Sequence, residues 1–483
     1  MDYSVTLSKV GGYQPFIQEM VNNGLWAKLC RKYDIPKHIW LPLLGYTELW
    51  AEHVYRYKND TANHKNEATR IFLSTMYDYI KSIFVKNNSY FSIPVDKSTI
   101  YAQDDIQPQE IKENVFSSYW VGHATQIYTI PVRYNSEIRN FTILTDPVQG
   151  SLSFLYPRFT NEGAQVQDYP EINALIYSHN HRDHFDPETL RLLCESQLKL
   201  YNNSPIIFVP KGLGAMLNAM NFKNVFEMMP GDVAILGDFM KIASVDSRHW
   251  SGRCIHDSHT TAFHSVVIQS NAMNGCIYFA GDTALLSNEE LDAITKCFDI
   301  AYSMQPGGPD DNRVDMESTH QSSADGLLMH VRFIKARTQD GTSYSFGELS
   351  ELVKTLYMHT KTFKLGPLHF NDTDQSIHRV LNALQAIHSN SIDENDLAKD
   401  ILSVLRPHEQ VVVEEILAIA STITFRKDDG EVVHGIPAHD IVELLTHSVR
   451  IPKIGERTDL GEGIHELEMN LQPYSGGDDL LAC

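Results

Sequence analysis

Apolar residues recur at three- to four-residue steps early in the chain. In "TRIFLSTMYDYIKSIF", Ile71, Tyr77, Ile80 and Phe84 would share one face of a helix. The polar stretch "DKSTIYAQDDIQPQE" then breaks the pattern, so residues 1–110 read as a helical N-terminal region. Over 111–372 the rhythm changes to short β-rich runs: "FTILTD", "INALIYS", "PIIFVP", "MKIASVD", "HSVVIQ", "CIYFAGD" and "DIAYSM". Helical stretches separate them. Two of these have clear starts: Asp186 before Pro187 caps one, and Ser287 before "NEELDAITKCF" caps another. Residues 373–483 turn helical again and end in an acidic, glycine-containing tail, "GEGIHELEMNLQPYSGGDDLLAC".

Composition narrows the classes. The 483 residues are 42% hydrophobic, enough to bury a large core, and the length suits two to four domains. Lys and Arg number 40 against 61 Asp and Glu, a formal charge of −21, which counts against a general nucleic-acid binder. Six cysteines (Cys30, Cys194, Cys254, Cys276, Cys297 and Cys483) form no CxxC pair, so neither a disulfide framework nor a thiolate zinc site is implied. No leader sequence and no bilayer-spanning apolar run is visible, so a cytoplasmic or peripheral membrane location is expected. The acidic tail also faintly resembles the signals of proteins secreted without a cleaved leader.

The densest chemistry is "SHNHRDH", where His179, His181, Asp183 and His184 follow an apolar run. Imidazole nitrogen and carboxylate oxygen are ligands for zinc or a similar first-row metal. His179 and His181 can share one ion, and Asp183 and His184 a second. Four ligands cannot complete two sites, so further His and Asp are expected at other strand ends. His249 in "SVDSRHW", Asp282 in "IYFAGDT" and His359 in "LYMHTKTF" are the candidates. Each alone also reads as a packed or surface residue.

Their order changes that reading. "WVGHAT", "ILTDPV", "SHNHRDH", "RHWSGR", "YFAGDT" and "MHTKTFKLG" resemble the successive motifs of the metallo-β-lactamase fold, and in particular its N-acylphosphatidylethanolamine-hydrolysing phospholipase D branch and the related ascorbate-phosphate lactonases. The resemblance covers about residues 115–372. It implies an α/β, four-layer αββα sandwich, here with helical N- and C-terminal extensions. It implies that His179, His181 and His249 hold one divalent ion, that Asp183, His184 and His359 hold the other, and that Asp282 bridges them. Zinc is the expected metal. His320 would contact the scissile phosphate, near a helix start that favours an anion; it also reads as a capping surface histidine. Asp146 and His123 fall where the family has residues that support the ligands.

Two such ions about 3.5–4 Å apart can share a water, lower its pKa and neutralise charge on phosphorus-bound oxygens. The expected activity is hydrolysis of a phospholipid by a bridging hydroxide, with Asp282 and His320 as the catalytic residues. The segment "LWAKLCRKYDIPKHIWLPLLGYTELW" places Trp26, Trp40 and Trp50 beside Lys28, Arg31, Lys32 and Lys37, which suits either a membrane-facing patch or a packed helical subdomain. The chain departs from the family at 302–319, where acidic and Gly-Pro residues replace an aromatic loop, and at 335–351, which reads as an insertion. His256, His259 and His264 fall on a cover loop, as exposed side chains or substrate contacts. A lactonase, a nucleotide or RNA phosphodiesterase, or a non-catalytic protein that binds a partner through its helical flanks remain as alternatives.

Overall fold

The computed structural model describes residues 3–13, 15, 115–152, 158, 160–253, 260–310, 317, 319–340, 342–363, 373–389, 405–427 and 429–462. Most of the expected N-terminal helical region, the tryptophan and lysine patch, His256, His259 and the acidic tail past 462 lie outside these residues.

The described strands in the first half are β1 (Val5–Lys9), β2 (Val115–Gly122), β3 (Thr125–Tyr134), β4 (Glu137–Thr145), β5 (Ala174–Ile176), β6 (Ile206–Pro210) and β7 (Val225–Met228). Helices α1 (Pro187–Tyr201) and α2 (Gly214–Ala219) fall between β5, β6 and β7. Then come β8 (Asp232–Leu236), β9 (Met240–Val245), β10 (Ser265–Ser270), β11 (Cys276–Phe279), α3 (Asn288–Thr295), β12 (Ile300–Pro306), α4 (Ser323–Arg337), α5 (Phe346–Leu352) and β13 (Lys354–Met358). The C-terminal part contributes α6 (Thr373–Ser389), α7 (Pro407–Ala420), the hairpin β14 (Thr424–Arg426) and β15 (Val432–His434), α8 (Ala438–Ser448), β16 (Val449–Arg450) and β17 (Arg457–Glu462).

Two large sheets result. One runs β17-β2-β3-β4-β5-β6-β7 and the other β1-β8-β9-β10-β11-β12-β13-β16. Strand alternation decides what lies on each face. Phe141 and Ile143 of β4, Ala174 and Ile176 of β5 and Phe208 of β6 join the cluster shared with Val233, Ile242 and Val245 of the other sheet. Their neighbours Leu144, Leu175, Ile207 and Val209 pack instead with Leu190 and Leu193 of α1 and Leu217 of α2. Helix α4 packs on β12 and β13 of the opposite sheet and α8 beside β16, while α3 and α7 pack against α4, and Leu291, Leu327, Ile416 and Leu444 of these helices join the same core. The layers are therefore helix, sheet, sheet, helix. Each Val, Leu, Ile or Phe side chain so buried is worth roughly 1.5–3 kcal/mol relative to exposure.

The two helix starts legible in the sequence form as expected: Asp186 accepts from Thr189 N at 2.9 Å, and Ser287 makes a capping box with Glu290. Elsewhere the regions expected to be helical differ. Residues 5–9 are a strand, β1, paired antiparallel with β8. Residues beyond 372 add helices but also β16, parallel to β13, and β17, antiparallel to β2, so the C-terminal part completes both sheets.

The parallel strands β4 to β7 and β11 to β13 bring their carboxyl ends to one edge of the sandwich. Open α/β sheets present ligand sites at such ends. The loops after β4, β5, β9, β11 and β13 carry Asp146, His179–His184, His249, Asp282 and His359 respectively.

Candidate metal centre

All seven ligands expected from the sequence, together with His123 and His320, converge at this edge. Donor atoms of His179, His181, His249 and Asp282 lie within 4.8 Å of one another, as do those of His123, Asp183, His184 and His359, and those of Asp282, His320 and His359. Asp282 stands between the groups. Its carboxylate is 3.9 Å from His179 Nε2, 3.1 Å from His184 Nε2, 3.7 Å from His249 Nε2, 3.2 Å from His320 Nε2 and 2.9 Å from His359 Nε2. Most of these side chains are fully buried; Asp183 (16% exposed) and His320 (12%) mark the open side.

Hydrogen bonds behind the ligands set their tautomers. Asp146 accepts Ser178 N at 2.7 Å, Ser178 Oγ at 2.6 Å and His184 Nδ1 at 2.7 Å. Ser178 Oγ spends its only proton on Asp146, so it accepts from His179 Nδ1 at 2.9 Å. His249 Nδ1 donates to the Thr319 carbonyl at 2.9 Å. Neutral His179, His184 and His249 therefore all turn a lone pair on Nε2 inward. His179 Nε2 and His249 Nε2 converge on His181 Nδ1, at 2.8 and 3.1 Å, and one N–H cannot satisfy both well. Buried His181 Nε2, His184 Nε2, His359 Nε2 and Asp282 Oδ1 make no well-aligned hydrogen bond among the described residues, although His359 Nε2 lies 2.9 Å from Asp282 Oδ1.

This donor set fits divalent cations. Three nitrogens held about 2.0–2.1 Å from one tetrahedral ion would be roughly 3.3 Å apart. The observed 2.8 and 3.1 Å are close to that. Metal ligation also needs neutral imidazoles. Burial pushes His179 and His249 well below the usual histidine range and His181 down to about 3. Burial opposes charge on His184 too, yet the Asp282 and Asp183 carboxylates hold its pKa well above the ordinary value. A field that favours a proton at that nitrogen also favours a metal cation there. Burial likewise opposes ionisation of Asp282, but His184 and His359 keep its carboxyl well below the usual range.

Three non-glycine backbone positions at the centre are left-handed: His123 at φ 52°, Asp146 at φ 37° and His359 at φ 56°. His359 N donates to the His123 carbonyl at 2.9 Å, which ties the β2–β3 turn to the end of β13. His123, expected to support the ligands, meets Asp183 Oδ2 with its Nε2 at 3.0 Å. Gly281 (φ +59°) lets the Asp282 loop approach the histidine loop: a Cβ there would sit 2.6 Å from Ser178 Cβ.

Two expectations need correction. The start of α4 near His320 is not open to an anion, because Ser322 and Asp325 form a capping box and Asp310 accepts from both Ser323 N (2.9 Å) and Ser323 Oγ. The same contact takes Asp310, one of the acidic residues of 302–319, into the interior. His264 is not an exposed loop residue either. It is buried, accepts from Ser244 Oγ at 2.6 Å and donates from Nε2 to the Tyr177 carbonyl at 3.0 Å, joining the two sheets beneath the site. Sequence reasoning missed Ser178 and the Thr319 carbonyl, although each lies next to a histidine it had singled out.

Residues 141–338 match the family described as the beta-lactamase superfamily domain. That stretch is a domain of this superfamily, and the sandwich has the metallo-β-lactamase fold. The mitochondrial N-acyl-phosphatidylethanolamine-hydrolyzing phospholipase D of Saccharomyces cerevisiae is 27% identical over 193 residues, 38% of this chain and 38% of that protein. N-acyl-phosphatidylethanolamine-hydrolyzing phospholipase D 1 of Caenorhabditis elegans is 24% identical over 282 residues, 54% of this chain and 74% of that protein. The match thus spans less than half the length of the yeast relative. Among solved structures, an isothiocyanate hydrolase from Delia radicum gut bacteria is similar at 13% identity and a TM-score of 0.39, over 71% of this chain and 98% of that one.

Proposed function

We propose that the chain is a hydrolase dependent on two divalent metal ions, zinc foremost, that cleaves N-acylphosphatidylethanolamine-like phospholipids at the bond between phosphorus and the ethanolamine oxygen. The observation that carries this reading is the central position of Asp282, within 3.9 Å of five imidazoles. His179, His181 and His249 would hold one ion and Asp183, His184 and His359 the other, with Asp282 common to both. Metal ions in such a centre polarise a phosphoryl oxygen and make water acidic enough to react near neutral pH.

The chain's own residues do the rest. Asp146 and Ser178 orient the histidine loop, and His123 steadies Asp183. His320, on the open side beside Asp282, faces where a phosphate would enter, and its Nδ1 lies 2.9 Å from Thr319 Oγ1. Addition of water across the phosphorus–oxygen bond leaves phosphatidic acid and an N-acylethanolamine. The two phospholipase D relatives support this substrate class. No helix of the described residues is long and apolar enough to cross a membrane.

The test is metal analysis of the purified chain together with vesicles containing N-acylphosphatidylethanolamine, a lactone panel and an RNA oligonucleotide. Two metal equivalents with N-acylethanolamine release are expected. Two equivalents with turnover of the lactone or RNA alone would move the substrate class, and full turnover by Asp282→Ala would end the catalytic reading.

A further inference from the structure

His249 follows the end of β9 by four residues, and the stretch between is held at several points. Arg248 N donates to Thr283 Oγ1 at 2.8 Å, Ala284 N donates to the Arg248 carbonyl at 2.8 Å, and His249 Nδ1 donates to the Thr319 carbonyl. At its base lies Asp246, the first residue after β9, buried within the sandwich. One of its contacts comes from the N-terminal segment, 233 positions away. Tyr13 Oη donates to Asp246 Oδ2 at 2.8 Å and accepts from Asp246 N at 2.8 Å. One phenol thus fixes both the side chain and the backbone of the residue three positions before the ligand.

The N-terminal segment is anchored so that this contact is firm. β1 pairs with β8 over five residues, Val10 N donates to the Gly231 carbonyl at 2.9 Å, and Tyr13 is buried in the inter-sheet core. A carboxylate in such surroundings needs hydrogen-bonded partners, and a phenol that both gives and takes fits the geometry at the exit of β9.

We infer that Tyr13 is a positioning residue for the metal centre: through Asp246 it sets the loop that delivers His249, and it thereby couples the N-terminal segment to the site. The inference rests on the metal reading above. Metal affinity responds to outer contacts of ligands by about 10–100-fold, and a contact one step further out should act at the lower end.

The experiment is titration of the metal-stripped full chain with cobalt(II), read by its visible absorption, alongside thermal unfolding. Tyr13→Phe keeps the ring and removes the hydroxyl; it should weaken cobalt binding about five- to tenfold and alter the absorption bands. Asp246→Glu, which displaces the same carboxylate, should do likewise, so either variant serves if the other does not fold. Asp246→Asn keeps an acceptor for the phenol and should bind within about twofold of the parent. Val5→Ala loosens β1 by packing alone and controls for lost stability. Wild-type affinity and spectrum in a folded Tyr13→Phe or Asp246→Glu chain overturns the inference, as does equal weakening in Val5→Ala. If the parent chain takes up no cobalt, the metal reading and the inference fall together; normal uptake with an unaffected Tyr13→Phe removes the inference alone.

Discussion

Asp146 accepts a hydrogen bond from His184 Nδ1 at 2.7 Å while its other contacts fix Ser178, so one buried carboxylate orients both halves of the "SHNHRDH" loop. The contact to Ser178 extends that control to His179.

Replacing Asp146 by Asn should therefore disturb the metal centre without touching it. Asn cannot accept all three bonds as strongly, and the His184 tautomer is no longer enforced. Metal affinity should fall by about 10–100-fold. Competition with a chromophoric chelator measures this, and an unchanged affinity would separate Asp146 from ligand orientation.

Asp282 belongs to two of the three groups of donors and lies 3.1 Å from His184 Nε2 and 2.9 Å from His359 Nε2 of the remaining one. Asp282→Ala should cost more than a supporting residue does, at least about a hundredfold in turnover, and should reduce bound metal below two equivalents. Elemental analysis beside initial rates reads both.

Metal removal should weaken the fold as well as the activity. A ligand present at a hundred times its dissociation constant stabilises the native state by about 2.7 kcal/mol. Treatment with a chelator should lower the melting temperature and abolish hydrolysis, and zinc or cobalt should restore both. Activity that survives full stripping would contradict the proposed chemistry.

Gly281→Ala should be severe for a small change. The position is left-handed and a Cβ would meet Ser178 at 2.6 Å, so the Asp282 loop must shift or the histidine loop must give way. Loss of about 2 kcal/mol or more in urea unfolding, with weaker metal binding, is expected.

His330, away from the metal centre, makes the stability of the fold pH-dependent. Its Nδ1 lies 2.9 Å from Thr355 Oγ1 and its Nε2 3.1 Å from Ser448 Oγ, and burial, with Lys354 assisting, lowers its pKa from 6.5 to about 3. The unfolded chain binds this proton below pH 6.5 and the folded chain only near pH 3, so stability falls as pH drops through that window. The advantage of the parent over His330→Asn should shrink by roughly 2 kcal/mol between pH 7 and pH 5. Urea unfolding at the two pH values checks it.

How much of this was legible beforehand follows from distance along the chain. His179, His181, Asp183 and His184 sit within six positions, so their chemistry is visible in the sequence itself. The strand runs over 141–304 and the caps at Asp186 and Ser287 are equally local signals. His249, Asp282 and His359 are separated from the motif by the length of whole strand and helix units, and only their order within a resemblance singled them out. Asp310, His264 and Tyr13 show what local pattern cannot reveal. An acidic residue in a Gly-Pro stretch, a histidine after a polar loop and a tyrosine near the N-terminus look solvent-facing, yet each finds a buried polar partner 13 to 233 positions away. Strands β1 and β17 escaped for a related reason: their short, polar sequences gain strand character only from the sheets they join.

The placement of β17 also dictates a timetable. β2 is flanked on one side by β3, its immediate successor, and on the other by a strand that begins at Arg457. During synthesis the first sheet must wait, with one border of β2 open, until more than three hundred further residues have left the ribosome. A chain stalled or clipped anywhere in that interval would carry its histidine cluster on an unfinished sheet, exposed to aggregation with its own copies.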